Sequence, residues 1–400
     1  MRSDNLFLAV FLLGFMAHGT ILSQDKTWYK GNLHAHSYWS DGNEFPEIIM
    51  DWYKTNGYDF TVLSDHNTLA EGEMWITLSE KEYLQEAFHD YLDHYGESWV
   101  EHQLDSTGRT KVKLKTLEEY RSLFEEDGEF LIIQSEEITS NFGDKPIHIN
   151  ASNIQEKISP KEGGNVAEII QNNIDAILEQ RERLNVPIMP HINHPNFGYG
   201  ISADDFMQLN DVRFFEVYNG HPLVNNDGDS THLDTESMWD LINASYLQEG
   251  KPLLYGVATD DSHNYHRFDK SYSNPGRGWV MVRADSLTAS SIITAMENGD
   301  FYASTGVLLK GLETGNDSLQ IEIAAEPDVG YEIQLIGKDP ASDAYQIIER
   351  VKGTKASFTL PHGYGFVRAK VVSDQTNQNF FDETEYEKAW TQPIGIKKPN

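Results

Sequence analysis

Six segments of metal-binding character punctuate the first two thirds of the chain, and most follow an apolar run directly. They are His34-Ala35-His36 closed by Asp41-Gly42, then Asp65-His66-Asn67, Glu136-Glu137, His148, His191-Ile192-Asn193-His194-Pro195 and Asp260-Asp261-Ser262-His263. Alternate side chains of an extended segment share a face, so His34 and His36 can reach one cation together. A neutral imidazole nitrogen suits zinc, iron, copper or nickel and binds zinc at about 2.0–2.1 Å. Taken alone, a His-x-His pair is more often two histidines on the polar face of a strand. Five further clusters of the same character, far apart in sequence, turn the reading toward metal.

Their positions also imply a fold. Buried strands are expected over 28–33, 58–63, 130–133, 146–150, 186–189, 212–218 and 253–258, and the spacing predicts helices over 45–56 and 166–184. Strands alternating with helices imply a parallel sheet. Polar residues gathered at strand C-termini imply a β/α barrel whose site lies at that end, where distant ligands converge. Residues 71–128 are charged, with helical patterning broken at Thr107-Gly108, and read as an insertion; 221–250 read as a second. From about Gly306 short alternating strands follow at 319–323, 331–336, 345–351, 356–360 and 365–372, separated by turns such as Gly337-Lys338-Asp339-Pro340. The expected division is a metal-site domain over 24–305 and a small all-β, sandwich-like domain over 306–400.

Composition narrows the partners. A formal charge of −32 argues against nucleic acid or an anionic membrane as the main partner, and points to a small-molecule substrate. The chain has no cysteine, which excludes disulfides, zinc–thiolate sites, a thiol nucleophile and lipoprotein anchoring. Arg2, the apolar stretch 6–16 and Ala17-His18-Gly19 read as a signal peptide over 1–23, with an apolar run too short for a comfortable membrane span. The mature protein is therefore expected to be exported, to the periplasm or outside the cell.

The ordered set His34-x-His36, Asp41, Ser64-Asp65-His66, Glu137, His148, His194-Pro195 and Asp261-x-His263 resembles the polymerase and histidinol phosphatase (PHP) superfamily over roughly residues 28–305. The phrases Glu216-Val217-Tyr218-Asn219-Gly220, Gly276-Arg277-Gly278-Trp279 and Phe301-Tyr302-Ala303-Ser304-Thr305-Gly306 look like its carbamate hydrolase-like branch, whose members tend to carry a C-terminal β module. The resemblance implies a distorted seven-stranded β/α barrel holding two or three divalent metals, usually zinc, manganese or iron. It implies that His34, His36, Glu137 and Asp261 hold one metal, and that Glu137 bridges to a second completed by His148. Asp41, His66, His194 and His263 would hold a third. Gln134-Ser135 replaces the usual Pro-Gly before the glutamate segment, so Glu136 competes with Glu137 for the bridging role.

Beyond the ligands, Asp65 and Asn67 are expected to orient His66, and Asn193 to orient His194. His191 reads either as a backbone-bonded structural histidine or as a participant in the chemistry, and Asp260 either as a loop carboxylate or as a ligand. Arg277 is the candidate clamp for a phosphate or carboxylate, because guanidinium grips such groups bidentately, with a structural salt bridge as its alternative; Tyr218 and Asn219 read either as substrate contacts or as residues that close the strand end. His221, His232 and His266 read as surface histidines. Water held between two cations has its pKa lowered toward about 7 and can supply hydroxide at neutral pH. The expected activity is metal-dependent hydrolysis, foremost of small phosphate esters; the alternatives are carbamate, amide or ester hydrolysis on the same fold, or a non-catalytic metal- or ligand-binding surface protein.

Overall fold

The computed structural model describes residues 26–315, 317–339, 344–363, 365–376, 379 and 385–396. The expected signal peptide lies outside the described residues. Strand β1 (Thr27–Asn32) leads to α1 (Pro46–Thr55), which starts on proline, a residue whose missing N–H costs nothing in a first helical turn. The helix stops at Asn56-Gly57, where Gly57 takes a φ of 73°. Strand β2 (Phe60–Leu63) follows, buried throughout.

The insertion comes next, as β3 (Trp75–Thr77), α2 (Glu82–Tyr95), β4 (His102–Leu104), β5 (Thr110–Lys113) and α3 (Leu117–Phe124). Its largely helical patterning is half the story. The three strands form a small antiparallel sheet, and Thr107-Gly108 is the turn between β4 and β5. Strands of three or four residues are too short to leave a periodicity. The insertion also has an apolar face: Leu78, Phe88, Tyr91, Val100, Val112 and Leu114 pack on Trp39 and Phe45, the loop that follows His36.

The barrel continues with β6 (Leu131–Phe142), β7 (Lys145–Ser152), α4 (Val166–Leu184), β8 (Met189–Ile192), α5 (Ala203–Met207), β9 (Phe214–Asn219), α6 (Thr235–Glu249) and β10 (Tyr255–Thr259). Asn165 caps α4 by accepting from Glu168 N, and Asn185 ends it in the left-handed region. Its Ile169, Ile170, Ile174 and Ile177 are buried, each contributing roughly 1.5–3 kcal/mol of apolar transfer, and they hold the helix against β6 and β7. Helix α6, expected as insertion, instead covers β9 through buried Met238, Trp239 and Ile242.

Seven strands are neighbours in the order β1-β2-β6-β7-β8-β9-β10, a distorted β/α barrel. The sheet is not wholly parallel: β7 runs antiparallel to both β6 and β8. The cause is the short turn at Gly143-Asp144, since a parallel pair needs a crossover of about a dozen residues or more. The reversal puts the first half of β7, with His148, beside Thr139 near the far end of β6. Beyond the strand ends the ring closes where Ala35 bridges Ser262: Asp261 N donates to His34 O at 3.0 Å and His36 N to Ser262 O at 2.9 Å.

Strand β1 also pairs on its other edge with β11 (Trp279–Ala284); α7 (Ala289–Glu297) and β12 (Phe301–Ser304) follow. The remaining strands are β13 (Leu309–Thr314), β14 (Ser318–Ile323), β15 (Tyr331–Lys338), β16 (Tyr345–Lys352), β17 (Lys355–Thr359), β18 (Gly365–Thr376), β19 (Tyr386–Thr391) and β20 (Ile394–Ile396). A three-stranded sheet, β13-β14-β17, shares a core with the β15 and β18 face: Leu319, Ile321 and Phe358 meet Ile333, Val367 and Val371. Strand β12 pairs with β19, so the β module continues the barrel's own sheet. It is joined a second time at Arg368 of β18, whose guanidinium grips Asp240 of α6 at 2.7 and 2.8 Å and reaches Glu236 at 3.3 Å. Among the described residues no helix is long and apolar enough to cross a membrane.

Candidate metal centre

The segments that leave β1, β2, β8 and β10, together with β6 and β7, bring His34, His36, Asp41, His66, Glu137, His148, His194, Asp261 and His263 into one cluster. Side chains alternate along β6, so its neighbouring glutamates part company. Glu137 turns into the cluster. Glu136 turns away to accept from Ile158 N at 2.9 Å, and burial raises its pKa to about 7.

Four groups converge as a cage. His34 Nε2 lies 3.0 Å from His36 Nε2, 3.4 Å from Glu137 Oε1 and 3.3 Å from Asp261 Oδ1. His36 Nε2 lies 3.3 Å from Glu137 Oε2 and 3.2 Å from Asp261 Oδ1. Ligands about 2.0–2.1 Å from a tetrahedral ion stand about 3.3–3.4 Å from one another, so the spacings of His34, His36 and Asp261 fit one small cation, with Glu137 at similar distances from both rings. All four side chains are buried. Buried Glu137 Oε2 also lacks a hydrogen-bond partner, as expected of an atom open to a metal.

Two more groups adjoin the cage. Glu137 Oε1 lies 3.0 Å from His148 Nδ1 and 3.5 Å from His194 Nε2, while Oε2 lies 2.9 Å from His66 Nδ1. Toward solvent, Asp41 Oδ1 is 3.3 Å from His263 Nε2, and Asp41 Oδ2 is 3.5 Å from His66 Nε2. His194 therefore sides with Glu137 and His148 rather than with Asp41, His66 and His263. The reason is its neighbour on β9: Glu216 Oε2 accepts from His194 N at 2.7 Å and fixes the residue at a φ of 21°.

The electrostatics are those of a site built for cations. Burial opposes ionisation of Glu137, but His34, His66 and His148 overcome it and hold its pKa well below the usual range. Asp261 is held down in the same way, chiefly by His34 and by its hydrogen bond with His36. Burial, reinforced by His263, lowers His36 to about 4, leaving a neutral ring with one nitrogen lone pair to offer.

Several expected roles change. Arg277 is fully buried and clamps no substrate: its donors go to Gly220 O at 2.9 Å, Asn379 O at 2.7 Å, Asp269 O at 3.2 Å and Asn274 Oδ1 at 3.3 Å. It pins loops together because burial leaves the guanidinium to be satisfied by backbone oxygen. The Tyr218 ring is buried against Gly278 and Trp390, out of a substrate's reach. Asn219 faces the cluster but holds carboxylates, donating to Glu216 Oε2 at 2.8 Å and Asp261 Oδ2 at 3.1 Å. Asp65 does not orient His66; it accepts from Ser37 N, Ser37 Oγ and Ser40 Oγ at 2.6–2.9 Å and shapes the turn after His36. Asn67, at a φ of 51°, brackets Thr139, whose Oγ1 meets His66 Nδ1 at 2.5 Å. Asn193 donates to Glu137 Oε1 at 2.7 Å rather than orienting His194. Asp260 is a satisfied loop carboxylate, accepting from Arg277 N, Gly278 N and Tyr53 Oη. His191 is fully buried, 3.5 Å from Glu216 Oε1 and grouped with His34 and Glu216, and neither ring nitrogen is bonded to backbone.

Two residues of the site escaped the sequence reading as members of it. Glu216 is buried in β9 with Oε1 2.7 Å from His34 Nδ1; a lone charge within the run Phe214-Phe215-Glu216-Val217 was the available signal. His221 is half-buried beside His263, with ring centroids 5.4 Å apart, and nothing local marks it. His266 is half-buried too, paired with Glu44 at 2.7 Å, while His232 is exposed and stacks on Tyr199.

Strand order and clustered ligands together settle the architecture. The fold is a distorted β/α barrel that gathers candidate metal ligands in one cluster. No protein-family model and no curated protein matches the chain. Among solved structures, a two-domain protein of Bacteroides vulgatus ATCC 8482 containing a predicted PHP-like metal-dependent phosphoesterase aligns over 93% of this chain and 96% of its own, at 15% identity and a TM-score of 0.40. An amidohydrolase of Chromobacterium violaceum, with bound sulfate and no metal, aligns over 68% of this chain and 96% of its own, at 11% identity and a TM-score of 0.27.

Proposed function

We propose that this chain is a metal-dependent hydrolase that cleaves small phosphate esters. The observation that carries the proposal is the buried group of His34, His36 and Asp261, with Glu137 within 3.4 Å of both imidazoles and itself grouped with His34 and His194 and with His66 and His148. A binding protein has no need of adjoining metal groups that share a carboxylate. His34, His36, Glu137 and Asp261 would hold one divalent ion, Glu137, His148 and His194 a second, and Asp41, His66 and His263 a third. Zinc, manganese and iron suit this mixture of imidazole and carboxylate. When bound, such ions lower the pKa of water and polarise the oxygen of the electrophile.

The protein's part is to hold the ligands still. Asn193 fixes Glu137 through Oε1, and Asp65 fixes the turn that carries His36 toward Asp41. His221 Nδ1 accepts from Leu223 N at 3.2 Å, so the neutral ring carries its proton on Nε2 and offers a donor beside His263. The displacement of Arg277 from the site favours a second reading, hydrolysis of a carbamate, amide or ester, since the one guanidinium expected to prefer an anion is engaged elsewhere. Export by a signal peptide over 1–23 is part of the proposal and rests on sequence pattern.

The test combines metal analysis after reconstitution with zinc, manganese and iron with a panel of phosphomonoester, carbamate and ester substrates, each with and without chelator. At least two metals per chain and chelator-sensitive phosphomonoester turnover are expected. One metal or none defeats the proposal, and an orders-of-magnitude preference for the uncharged substrates establishes the second reading.

A further inference from the structure

Glu216 is bound on every side by hydrogen-bond donors. Its Oε1 accepts from His34 Nδ1 at 2.7 Å and from Thr259 Oγ1 at 2.7 Å. Its Oε2 accepts from His194 N at 2.7 Å and from Asn219 Nδ2 at 2.8 Å. Asn219 Nδ2 lies 3.1 Å from Asp261 Oδ2 as well. One buried carboxylate thus reaches three candidate ligands, on segments that follow β1, β8 and β10, from a strand that carries no ligand. Two of them, His34 and Asp261, belong to the four-donor cage; the third, His194, belongs to the group with Glu137 and His148.

Each contact has a definite consequence. Accepting from His34 Nδ1 places that ring's proton away from the cage and leaves the Nε2 lone pair for metal. Accepting from His194 N holds the backbone at a φ of 21°, a conformation that non-glycine residues seldom adopt without support. Donation from Asn219 to both carboxylates fixes Asp261 relative to Glu216. Asp261 itself sits at a φ of 48°.

We propose that Glu216 is a shared positioning residue that couples the two buried metal positions, so that loosening it weakens both together. The inference rests on the metal-site reading above. It goes beyond that reading in assigning a common support to positions that share no other side chain than Glu137.

Glu216→Gln is the sharp variant. It keeps shape and volume but turns an amide NH2 toward donors where the carboxylate accepted, whichever way the amide is placed. The readout is metal binding rather than turnover: cobalt(II) is titrated in competition with a chromophoric chelator, and the absorption spectrum of the bound ions is followed. Wild type should bind at least two ions tightly. In Glu216→Gln, affinity at both buried positions should fall by about 10–100-fold, with an altered cobalt spectrum and unchanged far-ultraviolet circular dichroism. Asn219→Ala, which removes the arm to Asp261 and one donor to Glu216 Oε2 but leaves the contacts of Glu216 with His34 and His194, guards against a Glu216 variant that does not fold. It should weaken the cage position and leave the position with His148 and His194 within about threefold of wild type. Wild type that binds no cobalt defeats the metal-site reading itself. Wild-type affinities in Glu216→Gln, or a loss confined to one position, overturn the coupling while leaving that reading in place. If Glu216→Gln does not fold, an unchanged cage in Asn219→Ala overturns it.

Discussion

Arg368 and Glu137 are both charged groups withdrawn from water, yet they keep different company. Around Arg368, Asp240 takes a bidentate grip, Glu236 takes the remaining edge, and Lys370 pairs with the other oxygen of Glu236. Two cations meet two carboxylates, and the guanidinium lies 4.8 Å from the Trp239 ring. Around Glu137 there are further carboxylates, Asp261, Asp41 and Glu216, and rings whose lone pairs converge. One cluster is complete in itself and fastens α6 to β18. The other has an excess of acceptors that only added cations can balance, because burying unpaired charge is costly. Burial of charge is therefore weak evidence of function until its balance is known.

The largest effect should come from removing the shared carboxylate. Glu137→Gln is expected to lower kcat by about a thousandfold or more, the loss of several kcal/mol of electrostatic stabilisation, with lowered metal content and a native circular dichroism spectrum. Steady-state kinetics and elemental analysis on one preparation decide the matter. A folded, metal-depleted variant with wild-type turnover would erase the contrast between the two clusters.

A stability effect comes next, on the opposite side of the comparison. Arg368→Met leaves Asp240 without its partner and Glu236 with Lys370 alone, and should cost about 3–5 kcal/mol in urea unfolding, with metal stoichiometry unchanged. Replacing the cluster as a whole by apolar residues should recover most of that loss. A change in metal content in Arg368→Met would show that the β module reaches the site after all.

The smallest effect is a pH dependence. Burial works against ionisation of Glu236, but Lys370 and Arg368 overcome it and lower its pKa to about 2, below the ordinary 4.5. A depressed carboxylate pKa gives stability that is fully present above pH about 4.5 and is lost as pH falls toward about 2. Burial raises Asp240, which offsets part of the effect. Chelated wild-type protein should therefore lose stability more steeply between about pH 4.5 and 2 than chelated Glu236→Gln. Parallel acid arms in the two proteins would refute it.

Much of this was legible without coordinates. Apolar runs ending in His, Asp or Glu located the strands and the cluster, since both properties are local: a buried strand needs contiguous apolar residues, and a ligand needs a particular side chain at its end. The small sheet of the insertion was missed because β3, β4 and β5 are too short for alternation to register. Glu136 and Glu137 were inseparable because adjacent residues differ only in the face of β6 they occupy, and the face depends on what packs there.

Residue type, order and spacing were sufficient for the barrel, the β module and the residues that cluster, because hydrophobic periodicity and donor chemistry are written along the chain. Tertiary structure alone decided how the ligands divide among metal positions, that β7 is reversed, that Arg277 spends its donors on Gly220, Asn379 and Asp269, and that Glu216 stands beneath His34 and His194. Each of these depends on distances of a few ångströms between segments tens to hundreds of residues apart, and such distances are set by the packing of the whole barrel.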